Sequence, residues 1–158
     1  MREKKARKSN SIIFTITREI DAPLDYVYKW CTDFDEEDTK ITGSSSCRIM
    51  IEKTSKRAIY AMINGTKGNS RGRMYLVKLE PPNSWHMNAY GNGSDSTGDY
   101  NLAKISKNRT KLTVTFDHIY YDITVMPAES KKKLDSQNTW NKYVSALEKD
   151  FRNSILAI

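Results

Sequence analysis

His118 and Arg73 are the two side chains whose positions invite chemistry. In Lys111–Tyr120, Leu112, Val114 and Phe116 form an apolar row, and His118 continues that row. An imidazole there could move a proton near neutral pH. Arg73 is in phase with Tyr75 and Val77, and an inward guanidinium could take a ligand carboxylate or phosphate through paired hydrogen bonds. Plainer readings stand beside these: His118 as a core or rim histidine, Arg73 as a solvated residue of a hairpin within Asn69–Arg73 (NSRGR). Acid–base catalysis needs a base plus a group that stabilises the developing charge, and the sequence offers at most one half. Gly91-Asn92-Gly93 to Gly98 is glycine-rich but leads into a strand, so it reads as a hairpin turn and not a dinucleotide loop. His86, His118, Cys31 and Cys47 show no metal-ligand spacing, and no cofactor motif is present.

The elements that must position these residues follow from periodicity. Ser11–Ile20 is β-branched, with Ile12, Phe14 and Ile16 on one face and Arg18 closing the row, which predicts a strand. Asp21-Ala22-Pro23 supplies a cap-type residue and a proline, and Leu24–Cys31 carries Val27, Trp30 and Cys31 at helical spacing. The charged run Asp33–Lys40 predicts a second short helix or turn. From Cys47 onward, strand signals recur between turn clusters: Cys47–Lys53, Arg57–Asn64, Arg71–Glu80, Ser84–Gly91, Thr97–Ser106 and Lys111–Tyr120. Leu134, Trp140, Val144, Leu147, Phe151 and Ile155 then recur mostly at three- and four-residue steps, predicting one long amphipathic helix over Ala128–Ile158. Burying those six side chains would contribute about 9 to 18 kcal/mol before entropy, so the helix needs an apolar partner, and the packed face of the sheet is the only large one. Glu129–Asp135 (ESKKKLD) reads as its solvated first turns, with surface lysines.

The predicted fold class is therefore α+β: a curved antiparallel seven-stranded sheet around a long C-terminal helix, with two short helices after the first strand. With 158 residues the chain suits one domain, 11–158, and needs neither disulfides nor a structural metal. Of the formal net charge of +7, +4 falls in residues 1–10, which read as a basic disordered tail, either simply solvated or able to touch an anionic membrane or a nucleic acid. No apolar run approaches the roughly 18 residues of a membrane span, and the two cysteines form no disulfide framework. A cytoplasmic protein is the expectation.

The order strand, two short helices, six strands, long helix resembles the START-like, or SRPBCC, superfamily with its helix-grip fold. The opening text carries the resemblance best, in Ile20, Ala22, Pro23, Val27, Trp30 and Asp33. Pro81-Pro82 before Trp85, Gly91 and Gly93, Tyr100-Asn101-Leu102, and Lys111-Leu112-Thr113-Val114 are similar to its later strands, over about Ile12–Leu156. The resemblance implies a space between sheet and helix that holds an apolar ligand. Extending the alternation gives inward positions at Tyr75, Val77, Trp85, Met87, Tyr100, Leu102, Val114 and Phe116, facing Trp140, Tyr143, Val144 and Leu147. A dry void of about 300 Å³ would cost about 7 kcal/mol, so the space must be filled, wet or occupied, and nine Tyr, three Trp, four Phe and six Met could fill much of it. Three functions follow: binding or transport of a small hydrophobic or lipid-like molecule, a polyketide cyclase or dehydratase using His118 or Tyr100, or an interaction module using the basic tail.

Overall fold

The structure, a computed structural model, describes residues 9–66 and 69–158. Alternation of β-branched and polar residues builds β1 (Ser11–Ile20), in which Ile12, Phe14 and Ile16 are buried while Ile13, Thr15 and Thr17 face solvent. Pro23, with φ fixed near −63°, opens α1 (Leu24–Thr32). Asp21 does not cap that helix; its backbone N–H donates to Glu148 Oε1 at 2.9 Å instead. The expected second helix shrinks to one turn, α2 (Asp38–Ile41). Six strands follow: β2 (Cys47–Lys53), β3 (Arg57–Thr66), β4 (Asn69–Glu80), β5 (Ser84–Tyr90), β6 (Ser94–Ser106) and β7 (Arg109–Tyr120). A 3-10 turn, Ile123–Val125, leads into α3 (Glu129–Leu156).

All seven strands form one antiparallel sheet in the order β1-β7-β6-β5-β4-β3-β2. Four strands, β3, β4, β6 and β7, exceed their sequence-based bounds. Ser94–Ser96 read as turn residues, yet Ser94 pairs with Tyr120 and Ser96 with both Ala89 and His118, because ladder partners override weak local propensity. The β3–β4 hairpin likewise draws Thr66 and Asn69 into its ladder. The turn Gly91-Asn92-Gly93 has all three residues at positive φ, which explains the two glycines flanking an asparagine.

The packed face carries Ile16, Ile20, Leu102, Leu112 and Val114, with Ala22 and Val27 from the β1–α1 segment. Thr110, fully buried, donates to the Ala22 carbonyl at 2.8 Å and ties the start of β7 to that segment. The helix α3 lies on this face, but its apolar stripe is shorter than its sequence suggests. Leu147 is 1% exposed and Trp140, Val144 and Phe151 pack beside it, whereas Leu134 and Ile155 are 54% and 53% exposed. Four side chains rather than six provide the docking energy, about 6 to 12 kcal/mol before entropy. Polar contacts fix one flank of α3. Arg18 Nε donates to Asn141 Oδ1 at 2.7 Å, and Trp30 Nε1 donates to Asp150 Oδ2 at 2.9 Å. These contacts hold α3 against β1 and α1; over β3 to β6 it stands away from the sheet. The basic tail, residues 1–10, lies outside the described residues except for Ser9 and Asn10, and the Asn10 carbonyl already accepts from Tyr120 N–H at 2.9 Å. No described helix is long and apolar enough to cross a membrane.

Candidate ligand-binding cavity

Between the inner face of the sheet and α3 lies a cavity of about 500 Å³. Of the alternatives that composition left open, the aromatic side chains do not fill the space; they line it. They stack on one another across strands. Tyr60 and Tyr75 are register partners on β3 and β4 with ring centroids 4.8 Å apart, and Trp85 and Tyr100 repeat that geometry on β5 and β6. Met87 sits between the two stacks, its sulfur 3.9 Å from the Tyr60 hydroxyl and 4.0 Å from that of Tyr100. Phe116 meets Tyr100 edge-on at 6.0 Å, and Trp140 and Tyr143 close the wall from α3.

Gly98 makes this packing possible. It sits on β6 between its register partners Met87 and Phe116. A Cβ there would lie 2.6 Å from Tyr100 Cε2, so the Tyr100 ring lies over Gly98 because the position has no side chain.

Two polar regions flank the aromatic wall. On one side Arg73 reaches across from β4: Nη1 donates to the Gly91 carbonyl at 2.8 Å and to Ser94 Oγ at 3.3 Å, and Nη2 donates to Ser96 Oγ at 2.8 Å. His118 faces the same region, packed against both Phe14 and Phe116 at centroid distances of 5.9 and 5.8 Å, with Nε2 buried and unpartnered among the described residues. Burial, then the charges of Lys132 and Arg73, pull its pKa down to about 4, so the imidazole is neutral at pH 7. On the other side Arg48 Nη1 donates to the Asp35 carbonyl at 2.6 Å and to Asp38 Oδ2 at 3.3 Å, with the guanidinium 4.9 Å from the Tyr60 ring centroid. Burial and the neighbouring Asp33 raise the Asp38 carboxyl to about 6 despite Arg48. Cys31 also lines the cavity, but burial pushes its thiol far up, which removes thiolate chemistry at neutral pH.

The structure brings Arg73, Tyr75, Trp85, Met87, Tyr100, Phe116, Trp140, Tyr143 and His118 into the lining of one cavity. Val77, Leu102, Val114, Val144 and Leu147 do not reach it: they share its side of sheet or helix but belong to the packed region. Alternation fixes which face a residue is on, not how far along the strand the cavity extends. Sequence reasoning missed Arg48, Asp38, Tyr60, Phe34, Ser96 and Lys132. Lys132 and Asp135, read as surface residues, both line the cavity. In β2 the pattern misleads, since Ile49 and Ile51 face solvent while Arg48 and Met50 turn inward. A charged residue alternating with Met50 was the available signal.

No family model and no curated protein matches the chain. Solved structures do. The Zhui aromatase/cyclase from Streptomyces sp. R1128 is 13% identical with a TM-score of 0.70, over 92% of this chain and 96% of that one. A START superfamily protein from Mycobacterium smegmatis is 15% identical with a TM-score of 0.66, over 90% and 98% of the two chains. Ara h 8.0201 is 12% identical with a TM-score of 0.67, over 87% and 97%. The chain has the START-like helix-grip fold.

Proposed function

We propose that this protein is a non-catalytic carrier or sensor that binds a small apolar, ring-containing or acyl molecule between the sheet and α3. The observation that carries the reading is the cavity itself. A rigid dry void of about 500 Å³ would cost about 12 kcal/mol, close to the whole stability of a domain, about 5 to 15 kcal/mol. The space is therefore wet or occupied, and its aromatic and methionine lining suits an apolar occupant with flat faces. Tyr75, Trp85, Met87, Tyr100, Phe116, Trp140 and Tyr143 are the proposed contact residues. Native mass spectrometry of gently purified protein, with titration of the neutral fluorophore N-phenyl-1-naphthylamine, tests the reading. A co-purifying apolar molecule or saturable fluorophore binding supports it; neither, in folded protein, overturns it.

A cyclase-like enzyme is the second reading, favoured by His118 and Arg73 facing one cavity and by the aromatase/cyclase among the similar structures. Against it, His118 makes no hydrogen bond among the described residues that would orient it, and its low pKa makes it a weak base. Burial raises the Tyr100 hydroxyl well above its usual range, so Tyr100 is a poor proton donor.

A further inference from the structure

We propose that the ligand is amphipathic, with an oxyanion seated against Arg73 and Lys132 and its apolar body on the Tyr75, Trp85 and Met87 wall. This rests on the cavity being a binding site and adds the class and direction of what it binds.

The argument comes from uncompensated charge. Arg73 is held by three neutral acceptors, the Gly91 carbonyl and the Ser94 and Ser96 hydroxyls, and pairs with no carboxylate among the described residues. Those contacts fix the guanidinium in place without neutralising it. Lys132, in the first turn of α3, also lines the cavity, and its ammonium makes no hydrogen bond or ion pair among the described residues. The carboxylate available to it, Asp135, is engaged by Lys131 at 2.8 Å. Two cations thus share a partly desolvated space whose one nearby carboxylate, Asp135, is paired with Lys131, and burial together with Arg73 lowers the pKa of Lys132 even though Asp135 acts the other way. His118 adds a neutral ring with a buried, unpartnered Nε2, able to donate a further hydrogen bond as the Nε2–H tautomer.

The opposite end of the cavity differs. Arg48 has Asp38 as an internal counter-ion, so an anion there would compete with a carboxylate already in place. An oxyanion entering the cavity is therefore drawn to the Arg73 end. A carboxylate, phosphate or sulfonate provides the acceptors that Arg73 and Lys132 lack, and water displaced from the aromatic wall favours an apolar body behind it.

The test compares two fluorophores with the same ring system, neutral N-phenyl-1-naphthylamine and anionic 8-anilinonaphthalene-1-sulfonate, on wild type, Lys132→Met, Arg73→Gln and the exposed control Lys142→Met. Wild type should bind the sulfonate about tenfold or more tighter than the neutral probe, the value of one charge-assisted hydrogen bond. Lys132→Met and Arg73→Gln should abolish most of that preference and leave the neutral probe within about twofold; Lys142→Met should change neither. The Lys132 side chain makes no hydrogen bond or ion pair among the described residues, so its variant remains informative if Arg73→Gln fails to fold. Displacement of the neutral probe by decanoate, decyl phosphate and decanol then separates carboxylate from phosphate sources, with decanol expected to be weakest. Equal affinity for both fluorophores, or a preference that survives Lys132→Met, overturns the oxyanion seat while leaving apolar binding intact. Failure of both probes to bind folded wild type overturns the binding reading itself, and this inference with it.

Discussion

Alanine at Leu147 and alanine at Met87 should have unlike costs, because one side chain is enclosed by packed atoms and the other borders the cavity. Leu147 is 1% exposed on α3 and sits in the apolar region with Ile16, Val27 and Val114. Its truncation leaves a dry space that close-packed neighbours only partly refill, and the cost of such changes is about 2.7 to 5 kcal/mol. At about 2 to 4 °C per kcal/mol for a chain of this length, Tm should fall by roughly 5 to 20 °C. Met87 faces a space of about 500 Å³ that is already wet or occupied, so truncation enlarges it without creating a new dry void. What is lost is the transfer free energy of a partly buried side chain and its sulfur contacts with Tyr60 and Tyr100, together no more than about 2 kcal/mol. Urea unfolding followed by circular dichroism, with matched m-values, gives both numbers. Titration with N-phenyl-1-naphthylamine should show altered affinity for Met87→Ala and unchanged affinity for folded Leu147→Ala. Equal destabilisation by the two variants would mean that Met87 is core, and would refute the division between packed region and cavity.

Three further outcomes are expected. Gly98→Ala should displace the Tyr100 ring from Trp85, change near-ultraviolet circular dichroism and destabilise by about 1 to 3 kcal/mol; an unchanged aromatic spectrum would show that the ring does not depend on Gly98. Leu134→Ala and Ile155→Ala should each change stability by less than about 0.5 kcal/mol, and a loss above 2 kcal/mol would place these residues in the helix-docking stripe after all. His118 has a folded pKa near 4 against 6.5 for the free side chain, so the unfolded chain binds more protons between those values. Its contribution, at most about 3 kcal/mol, is complete above pH 6.5 and is lost as pH falls toward 4. Asp38, raised to about 6, acts with the opposite sign between its unfolded value of 3.8 and 6, so the His118 part is read as the difference between wild type and His118→Asn across that range. A pH-independent difference would refute it.

The elements were largely legible in the sequence because each reports its own environment. Alternation in Lys111–Tyr120 marked an inner face that Phe116 and His118 share, and the same logic placed Arg73, Tyr75, Trp85 and Met87 on the cavity side. Legibility failed where a residue's role depends on a distant partner. Ser94–Ser96 look like turn residues until β7 pairs with them, and two of the hydroxyls then hold Arg73. Lys132 looks like any surface lysine in a charge run until α3 stands over the open part of the sheet. Isoleucines in β2 suggest an inward face that belongs instead to Arg48 and Met50.

By itself the sequence determined the seven strands, the long closing helix and the direction of most inner side chains, since backbone propensity and hydrophobic period are local properties. The tertiary structure alone decided that the aromatic residues stack against one another instead of filling the space, which depends on strand register and on the missing side chain at Gly98. It also decided that two cations meet at one end of the cavity where the nearby carboxylate, Asp135, already pairs with Lys131. Arg73 and Lys132 lie on β4 and α3, far apart in sequence, and only the curvature of the sheet around the helix brings both to the same space.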